Sequence, residues 1–338
     1  MQVSELDPIA LTRELVRIPS PTGREGAVGE FLAGMLERAD YRVVRQTVTP
    51  GRANVYAVLD PPVVVFTTHL DVVPPDLPVK EDEAYLWGRG SCDAKGLAAA
   101  MIAAAARLRA RGERRIGLLF LVGEEDGSDG ARRAAALEPK GRFIINGEPT
   151  ENRLSIGQKG SLRVTLTATG RAAHSAYPAE GQSAVDALLE TIGRIRAIAL
   201  PIHPLLGPST LNIGRLEGGV APNVIAPWAR ADLLFRTVTQ TGPLRDAIRR
   251  AADPIVEVDF PVEIPSLTAP EVPGWECTTV SFTSDLPFLS SWGEGYQLGP
   301  GSIRVAHTAE ERIAKTELLE GVDRYAILAG QLLVRGNG

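Results

Sequence analysis

The first half of the chain alternates helix-like and strand-like patterns of apolar residues. Apolar residues recur at helical spacing in three stretches, which are residues 9–17, 26–38 and 94–111. Short, nearly continuous apolar runs are typical of buried strands, and they occupy residues 63–68, 116–122 and 142–145. Strands that alternate with helices predict right-handed crossovers and an α/β fold with a mainly parallel sheet.

The pattern changes after Gly160, where strands that alternate apolar and polar residues begin. The strand-like stretches are residues 162–168, 210–216, 229–236 and 255–262, and the helical ones are residues 183–198 and 244–251. This order predicts a βαββαβ unit with helices on one face of an antiparallel sheet. We expect residues 161–264 to be an inserted α+β domain. The first domain would then be residues 1–160 and 265–338, with its sheet flanked by helices and with a strand at 296–298 and a helix at 317–334.

Composition and charge narrow the class of protein. The 338 residues suggest about two domains, and 44% hydrophobic and 23% charged residues are close to the globular average. The formal net charge of −5 argues against a nucleic-acid or anionic-membrane partner. No apolar run approaches the ~18 residues of a membrane span, and no signal segment opens the chain. Because the chain has only 2 cysteines, we expect a cytoplasmic protein.

Residues with metal-binding chemistry follow the predicted strands. His69 and Asp71 come at the end of the first buried strand, and ligand sites in open α/β sheets form outside the carboxyl ends of strands. The His-x-Asp spacing lets the carboxylate orient the imidazole. Asp93 opens the predicted helix at residue 94, where an N-cap is the alternative interpretation.

Acidic residues follow the other two buried strands. Glu124 and Glu125 lie among three consecutive carboxylates, which repel one another and need a cation, hydrogen-bond donors or water beside them. A solvated acidic loop or a calcium loop are the alternatives there. Glu148 follows the third strand, and His307 returns from the C-terminal segment.

Taken together, these residues indicate a metal centre more strongly than any of them does alone. Three strand ends and a helix start deliver carboxylates and imidazoles to one edge of one sheet. Two histidines and three carboxylates suit zinc, manganese or cobalt without a thiolate. Two metals roughly 3.5–4 Å apart need a bridging carboxylate and about two further ligands each. Five ligand residues meet that need and leave one carboxylate as a base.

On these motifs the chain resembles the co-catalytic zinc amidohydrolase and metallopeptidase family of acetylornithine deacetylase, succinyl-diaminopimelate desuccinylase, aminoacylase and glutamate carboxypeptidase. The resemblance runs from His-Leu-Asp-Val-Val-Pro at residue 69 to His-Thr-Ala-Glu-Glu at residue 307. It implies two divalent ions, zinc foremost, with cobalt or manganese as alternatives. By this resemblance His69 and Glu148 hold one metal, Glu125 and His307 hold the other, and Asp93 bridges them. Glu124 matches the general base, and Asp71 matches the carboxylate that orients His69.

The resemblance also implies that residues 1–160 and 265–338 are the catalytic domain and that the inserted residues 161–264 are a lid and dimerisation domain. His174 matches a histidine that stabilises the oxyanion of a neighbouring subunit's substrate, which implies a homodimer formed through the lid. Residues that match substrate contacts are Tyr177, Asn223, Arg236, Thr283 and Gly301. The last two resemble hydroxyl and backbone contacts on the catalytic side.

The substrate implied is a small N-acyl amino acid. In this family a Glu at position 148 goes with acylamino-acid hydrolases and carboxypeptidases, whereas Asp goes with aminopeptidases. The segment from Leu298 to Ile303 most resembles acetylornithine deacetylase, which implies a role in arginine biosynthesis. The alternatives are succinyl-diaminopimelate desuccinylase, a lysine-biosynthesis hydrolase acting on carrier-protein-linked lysine or ornithine, and a carboxypeptidase or dipeptidase. A metal-binding protein of this fold without turnover is the rival from another class.

Overall fold

The computed structural model describes residues 6–336. Positions 1–5 and 337–338 of the predicted catalytic domain lie outside the described residues. The helices are α1 (Pro8–Val16), α2 (Gly26–Arg38), α3 (Lys95–Ala110), α4 (Asp129–Ala134), α5 (Ala184–Arg196), α6 (Gly242–Ala251) and α7 (Lys315–Gly336). The strands are β1 (Arg42–Thr49), β2 (Arg52–Val58), β3 (Val64–His69), β4 (Lys80–Glu81), β5 (Tyr85–Trp87), β6 (Ile116–Leu121), β7 (Phe143–Gly147), β8 (Leu154–Gln158), β9 (Gly160–Thr169), β10 (Ile202–His203), β11 (Gly207–Pro208), β12 (Thr210–Gly218), β13 (Trp228–Thr237), β14 (Val256–Asp259), β15 (Glu263–Ile264), β16 (Leu267–Thr268), β17 (Cys277–Val280), β18 (Glu294–Leu298) and β19 (Arg312–Ala314).

The chain divides into two compact units, and the first of them is an α/β unit. It comprises Met1–Ile156, Ala269–Thr278 and Ser284–Gly338. Its main sheet has the strand order β1-β2-β6-β3-β7-β18-β8, in which β6, β3, β7 and β18 are parallel. The strands β1, β2 and β8 pair antiparallel at the two sides of this parallel core. The predicted α/β class with a parallel sheet flanked by helices is confirmed, and the sheet is mixed, because its four central strands are parallel and its outer strands are antiparallel.

The core of the first unit explains the Ala-rich helix α3. This helix is apolar on nearly every side, and it is buried along almost its whole length between α1 and α7. Small alanine side chains let the neighbouring helices approach closely. On the sheet beneath, Phe66 of β3 packs on Tyr325 of α7 with ring centroids 5.7 Å apart. Among residues 6–336, no helix combines the length and the apolarity that crossing a bilayer requires.

The second unit comprises Gly157–Thr268 and Thr279–Thr283. Its sheet has the order β12-β13-β9-β14 with antiparallel pairs throughout, and α5 and α6 cover one face. Along β9 the buried residues alternate with more exposed ones, as the sequence pattern predicts. The predicted βαββαβ order is present, with the short hairpin β10–β11 added before β12.

The unit boundaries differ from the predicted ones by a few residues. Residues 157–160, 265–268 and 279–283 belong to the second unit, although the sequence assigns them to the catalytic domain. Strand pairing gives the physical reason. β16 pairs with the end of β8, and the backbone N–H of Lys159 donates to the carbonyl of Val280 at 3.1 Å. These bonds join the three stretches to one another, and Gly160, the first residue of β9, pairs with Thr237 of β13 in the second unit.

Candidate metal centre

Three parallel strands end at the same edge of the sheet and carry the predicted residues there. His69 is the last residue of β3, and Glu148 follows β7 directly. After β6 the chain turns at Gly123, whose φ of 78° favours glycine, into a short 3₁₀ helix that holds Glu124 and Glu125. The carboxyl edge of the sheet therefore collects the imidazole and the carboxylates, as the sequence predicts.

Asp93 lies between the two candidate histidine ligands. Its Oδ1 is 3.0 Å from Nε2 of His69, and its Oδ2 is 3.3 Å from Nε2 of His307. The cap position of α3 is taken by Ala94, and no side chain caps the helix there. The N-cap interpretation of Asp93 is therefore wrong, because its carboxylate is used between the imidazoles.

His307 reaches this group from a turn after β18. Its backbone has a φ of 62°, a left-handed conformation that is uncommon outside glycine. Its Nε2 is 2.8 Å from Oε1 of Glu125 and also faces Asp93. These two carboxylates raise the pKa of His307 to about 10. A divalent cation would occupy the same position as that stabilised proton.

The hydrogen bonds of His69 fix which nitrogen is free to bind a metal. Its Nδ1 lies 2.9 Å from the backbone carbonyl oxygen of Asp71. Because a carbonyl can only accept, Nδ1 carries the hydrogen in the neutral ring, and Nε2 presents a lone pair. That lone pair faces the Asp93 carboxylate, and two acceptors face each other only with a proton or a cation between them. The ring is thus oriented as metal-binding histidines are.

Buried carboxylates crowd the same edge. Burial raises the pKa of Glu124 and of Glu148 well above the usual value, and the neighbouring carboxylates, Glu148 and Asp93 respectively, add to the rise. Burial raises the pKa of Glu125 too, against the hydrogen bond from His307. A solvated acidic loop is excluded for Glu124 and Glu125, because neither side chain is exposed. Crowded carboxylates of this kind fit a bound cation.

The ligand atoms form three overlapping groups, each within 4.8 Å. The groups are His69, Asp93 and Glu148; Asp93, Glu125 and His307; and His69, Glu124 and Glu125. The first two reproduce the ligand sets implied by the family resemblance and share Asp93. Nitrogen and carboxylate oxygen donors fit zinc, cobalt or manganese. The third group places a carboxylate oxygen of Glu124 within 4.8 Å of the ligand atoms of His69 and Glu125.

The contacts of Asp71 differ from the expected ones. Its Oδ1 is 3.6 Å from Nδ1 of His69, while the shorter contact of that ring is with the Asp71 backbone carbonyl. The carboxylate accepts instead from the backbone N–H groups of Glu124 and Glu125, both at 3.1 Å, and from the Thr22 hydroxyl at 2.9 Å. Asp71 therefore ties the segment that carries both glutamates to the end of β3.

The second unit brings three of the predicted lid residues together. A bridge pairs His174 with Val224, and the N–H of Ser175 donates to the carbonyl of Asn223 at 3.0 Å. The ring of Tyr177 lies 6.2 Å from the His174 ring and is 68% exposed. All three predicted side chains in this cluster face solvent.

The remaining predicted substrate contacts lie in two places. Arg236 is on β13 of the second unit, and its Nη1 is 3.4 Å from the hydroxyl of Thr283. Thr283 belongs to that unit as well, whereas the resemblance implies a position on the catalytic side. Gly301 is in the first unit, where its N–H donates to Glu317 at 2.8 Å.

Sequence reasoning missed two buried carboxylates in the first unit. Asp285 is 2% exposed, and burial raises its pKa to about 7, with the charge of Asp71 adding to the rise. Glu311 is 1% exposed and accepts from the backbone of the Asp93 segment. The only signal was that Glu311 closes the His-Thr-Ala-Glu-Glu string, and Asp285 follows Thr-Ser without a pattern that marks it.

We predict that Cys92 is not a metal ligand although it adjoins Asp93. Its thiol lies 3.5 Å from the carbonyl of Ser302, and burial together with the Asp93 charge raises the pKa of the thiol well above its usual value. A protonated thiol is a poor ligand. Cys92→Ser should therefore keep the metal content and most of the activity, measured by metal analysis and steady-state kinetics. Loss of bound metal in this variant would contradict the prediction.

An α/β sheet with an imidazole and carboxylate cluster at its carboxyl edge is the kind of site that metalloenzymes use. A match to the family described as peptidase family M20/M25/M40 covers residues 65–331. A peptidase M20 domain-containing protein of Schizosaccharomyces pombe is 38% identical over 333 residues, which are 94% of this chain and 82% of that protein. The chain belongs to peptidase family M20/M25/M40, whose metallopeptidases use divalent metal ions.

Other relatives bear on the kind of peptidase. A probable carboxypeptidase of Aspergillus flavus is 36% identical over 377 residues, which are 97% of this chain and 88% of that protein. A metallo-carboxypeptidase of this family from Sulfolobus solfataricus shares the fold with a TM-score of 0.78 at 16% identity, over 97% of this chain and 99% of that one. A tripeptidase from Staphylococcus aureus also gives 0.78 at 21% identity, over 96% and 98%. The predicted α/β fold class is confirmed, and the narrower resemblance to acetylornithine deacetylase stays a prediction.

Proposed function

We propose that this protein is a two-metal hydrolase that cleaves the amide bond on the amino side of an amino acid with a free carboxylate. The observation that carries the proposal is Asp93, whose two carboxylate oxygens each face a different histidine. Such a carboxylate is suited to bridge two cations. His69 and Glu148 would hold one ion, and Glu125 and His307 would hold the other. Zinc is the ion we propose, with cobalt or manganese as alternatives.

The residues at the carboxyl edge of the sheet would each have a separate role in the reaction. Divalent cations bound here would lower the pKa of a bound water to about 7 and would polarise the substrate carbonyl. Glu124, half-buried beside His69, would accept the proton of the attacking water and return it to the leaving amine nitrogen. Asp71 keeps the backbone of Glu124 in place through the hydrogen bond from its N–H.

Two observations favour a carboxypeptidase-type substrate. The Aspergillus relatives that share 36–38% identity over most of the chain are named probable carboxypeptidases. The residue after β7 is Glu148, which goes with carboxypeptidases and acylamino-acid hydrolases by the family resemblance. Arg236 is the residue we propose for the free carboxylate, because a planar guanidinium binds both of its oxygens. Tyr177, Asn223, Thr283 and Gly301 are proposed as further substrate contacts.

An N-acyl amino-acid hydrolase is the second candidate, because it breaks the same bond beside the same free carboxylate. The segment Leu298–Ile303 favours an acetylornithine deacetylase-like substrate. Succinyl-diaminopimelate and a carrier-protein-linked lysine or ornithine are the other acyl substrates of this group.

A substrate panel tests the proposal. The metal-loaded protein is assayed with N-blocked dipeptides, acetylornithine, succinyl-diaminopimelate and unblocked dipeptides. The matched control is each N-blocked dipeptide with its C-terminal carboxylate amidated. We expect cleavage of the free acid and at least tenfold lower kcat/KM for the amide, an effect of about 1.4 kcal/mol or more. Equal cleavage of both forms would reject recognition of the carboxylate, and no cleavage of any substrate would favour a metal-binding protein without turnover.

We also propose a homodimer formed through the second unit. Strand β12 lies at the edge of its sheet, and an unpaired edge is a site for pairing across a two-fold axis. Leu216 on this strand is 52% exposed, and Val220 just beyond it is 63% exposed. His174 of one protomer is then proposed to stabilise the oxyanion in the active site of its partner.

Mixing two inactive variants tests the dimer and the role of His174 together. A dimer of one His174→Ala chain and one Glu124→Ala chain would contain one site with both residues intact. Refolding an equal mixture should therefore recover about a quarter of the wild-type activity, because about half of the dimers are mixed. Leu216→Lys should shift the sedimentation coefficient towards a monomer, and Leu189→Lys on α5 is the control. No recovery of activity, or a fully active monomer, would reject the proposal.

A further inference from the structure

One buried carboxylate near the metal centre has no role in the function proposed above. Glu311 is 1% exposed, and its Oε1 accepts from three backbone N–H groups, those of Gly90 at 2.8 Å, Asp93 at 3.2 Å and Cys92 at 3.4 Å. Its Oε2 accepts from Nη1 of the buried Arg89 at 2.5 Å. The two oxygens therefore have separate partners.

The segment that Glu311 holds is the one that ends in Asp93. Gly90 has a φ of 88°, and a Cβ there would lie 2.9 Å from Cδ of Lys95, so only glycine suits the position. Of the last four residues of the turn, Ser91 donates its N–H to the carbonyl of Gly88 at 3.0 Å, and the other three N–H groups are buried, where a backbone donor without a partner is costly. The Oε1 of Glu311 accepts from three of these four residues. Glu311 thereby acts on the backbone that sets the position of the Asp93 carboxylate.

The C-terminal segment that carries His307 and Glu311 contacts both the side chain and the backbone of Asp93. His307 faces the carboxylate of Asp93, and four positions later Glu311 binds its backbone N–H. The backbone N–H of Gly88 also donates to the carbonyl of Glu311 at 3.2 Å. The carboxylate of Asp93 must reach His69 and His307 at once, and a small rotation of its backbone would break one of these contacts.

We propose that Glu311 is a positioning residue that holds the Asp93 backbone so that its carboxylate bridges the two metals. The proposal rests on the two-metal centre proposed above. Partners that orient a metal ligand from outside the ligand shell contribute to metal affinity, and their loss costs roughly 10–100-fold. The alternative is that Glu311 only neutralises the buried Arg89.

Because the two oxygens have separate partners, a pair of double variants separates the alternatives. Arg89→Met with Glu311→Gln removes both charges and keeps an amide oxygen for the backbone N–H groups. Arg89→Met with Glu311→Met removes the charges and the acceptor as well. Neither variant leaves an unpaired buried charge, so the amide group is the difference between them.

Metal affinity is measured by zinc titration against a chromophoric chelator, and ligand geometry by the visible spectrum of the cobalt-loaded protein. We expect the Met–Met variant to bind the metals roughly 10–100-fold more weakly than the Met–Gln variant. The Met–Gln variant should keep the wild-type cobalt spectrum. Equal affinities and equal spectra in the two variants would overturn the positioning role and leave only the ion pair with Arg89.

The outcomes also separate this inference from the proposed function. If the wild-type protein binds two metals and the double variants do not differ, only the inference fails. If the wild-type protein binds no metal, the proposed function fails with it. Should the Met–Met variant not fold, Glu311→Asp takes its place, because the shorter side chain keeps the charge for Arg89 and withdraws the acceptor. An unchanged metal affinity in Glu311→Asp would equally reject the inference.

Discussion

Replacing Glu124 by Ala is expected to lower kcat by roughly 10²–10⁴-fold while both metals stay bound. Glu124 is half-buried beside His69, and desolvation of its carboxylate together with the charge of Glu148 raises its pKa. A base so placed acts on the proton of the attacking water and not on the resting substrate. The loss should therefore appear in kcat, with little change in the dissociation constant of the substrate.

The measurement combines metal analysis with steady-state kinetics on the purified variant. Asp126→Ala is the matched control, because Asp126 lies in the same 3₁₀ helix and is exposed. This control should keep its metals and its kcat. If Glu124→Ala instead loses a metal, Glu124 is a ligand of the group that includes His69 and Glu125. If Glu125→Ala then also keeps both metals, the roles of the two glutamates are reversed.

Most of the ligand set could be predicted from the sequence, because the ends of buried strands can be recognised from the apolar pattern. Residues 63–68 and 116–122 are nearly continuous apolar runs, and the candidate ligands come directly or within three residues after they stop. Parallel pairing then brings the carboxyl ends of these strands to one edge of the sheet, independently of the loop conformations. His69, Glu125 and Glu148 follow from that rule. Their division between two metals came from the family resemblance, and spacing alone does not determine it.

Other parts of the fold could not be predicted in this way. The sequence does not predict the hairpin of Arg42–Thr49 and Arg52–Val58, because charged and polar residues interrupt the apolar positions of both strands. Strand β19 pairs with β5 across more than two hundred positions, and its three residues carry no periodicity of their own. Short strands of this kind are determined by tertiary contacts and not by a local pattern.

The contacts of Asp71 and Glu311 could not be predicted from the sequence for a different reason. Both carboxylates bind backbone N–H groups, at Glu124 and Glu125 in one case and at Gly90 and Asp93 in the other. Every residue except proline offers the same donor, so no residue type marks the partner. Asp71 was expected to orient His69, and its carboxylate lies farther from that ring than from the two backbone donors. Side chains that hold ligand loops through their backbone therefore appear only in the structure.

Replacing Glu125 by Ala is expected to lower metal occupancy and to remove most of the stabilisation that metal provides. Oε1 of Glu125 is 2.8 Å from Nε2 of His307. In the candidate ligand group of Asp93, Glu125 and His307, Glu125 is the glutamate. A metal that binds the folded state alone stabilises it by about 2.7 kcal/mol at a free concentration of 100 Kd. For a unit of this size that corresponds to a rise in Tm of roughly 5–10 °C.

The Tm of the metal-free Glu125→Ala protein, compared with that of the metal-free wild type, shows whether Glu125 is a metal ligand or a residue that stabilises the fold itself. Removing the metals from the wild-type protein with a chelator leaves the carboxylates of Asp93, Glu125 and Glu148 close together, where they repel one another. Glu125→Ala removes one of these charges, so its metal-free form should melt at or above the temperature of the metal-free wild type. The chelator should lower its Tm by much less than it lowers that of the wild type or of Asp126→Ala. Melting curves with and without chelator, together with metal analysis, measure both effects. A metal-free Glu125→Ala protein well below the metal-free wild type would mean that Glu125 stabilises the fold itself, and retention of both metals would remove it from the ligand set.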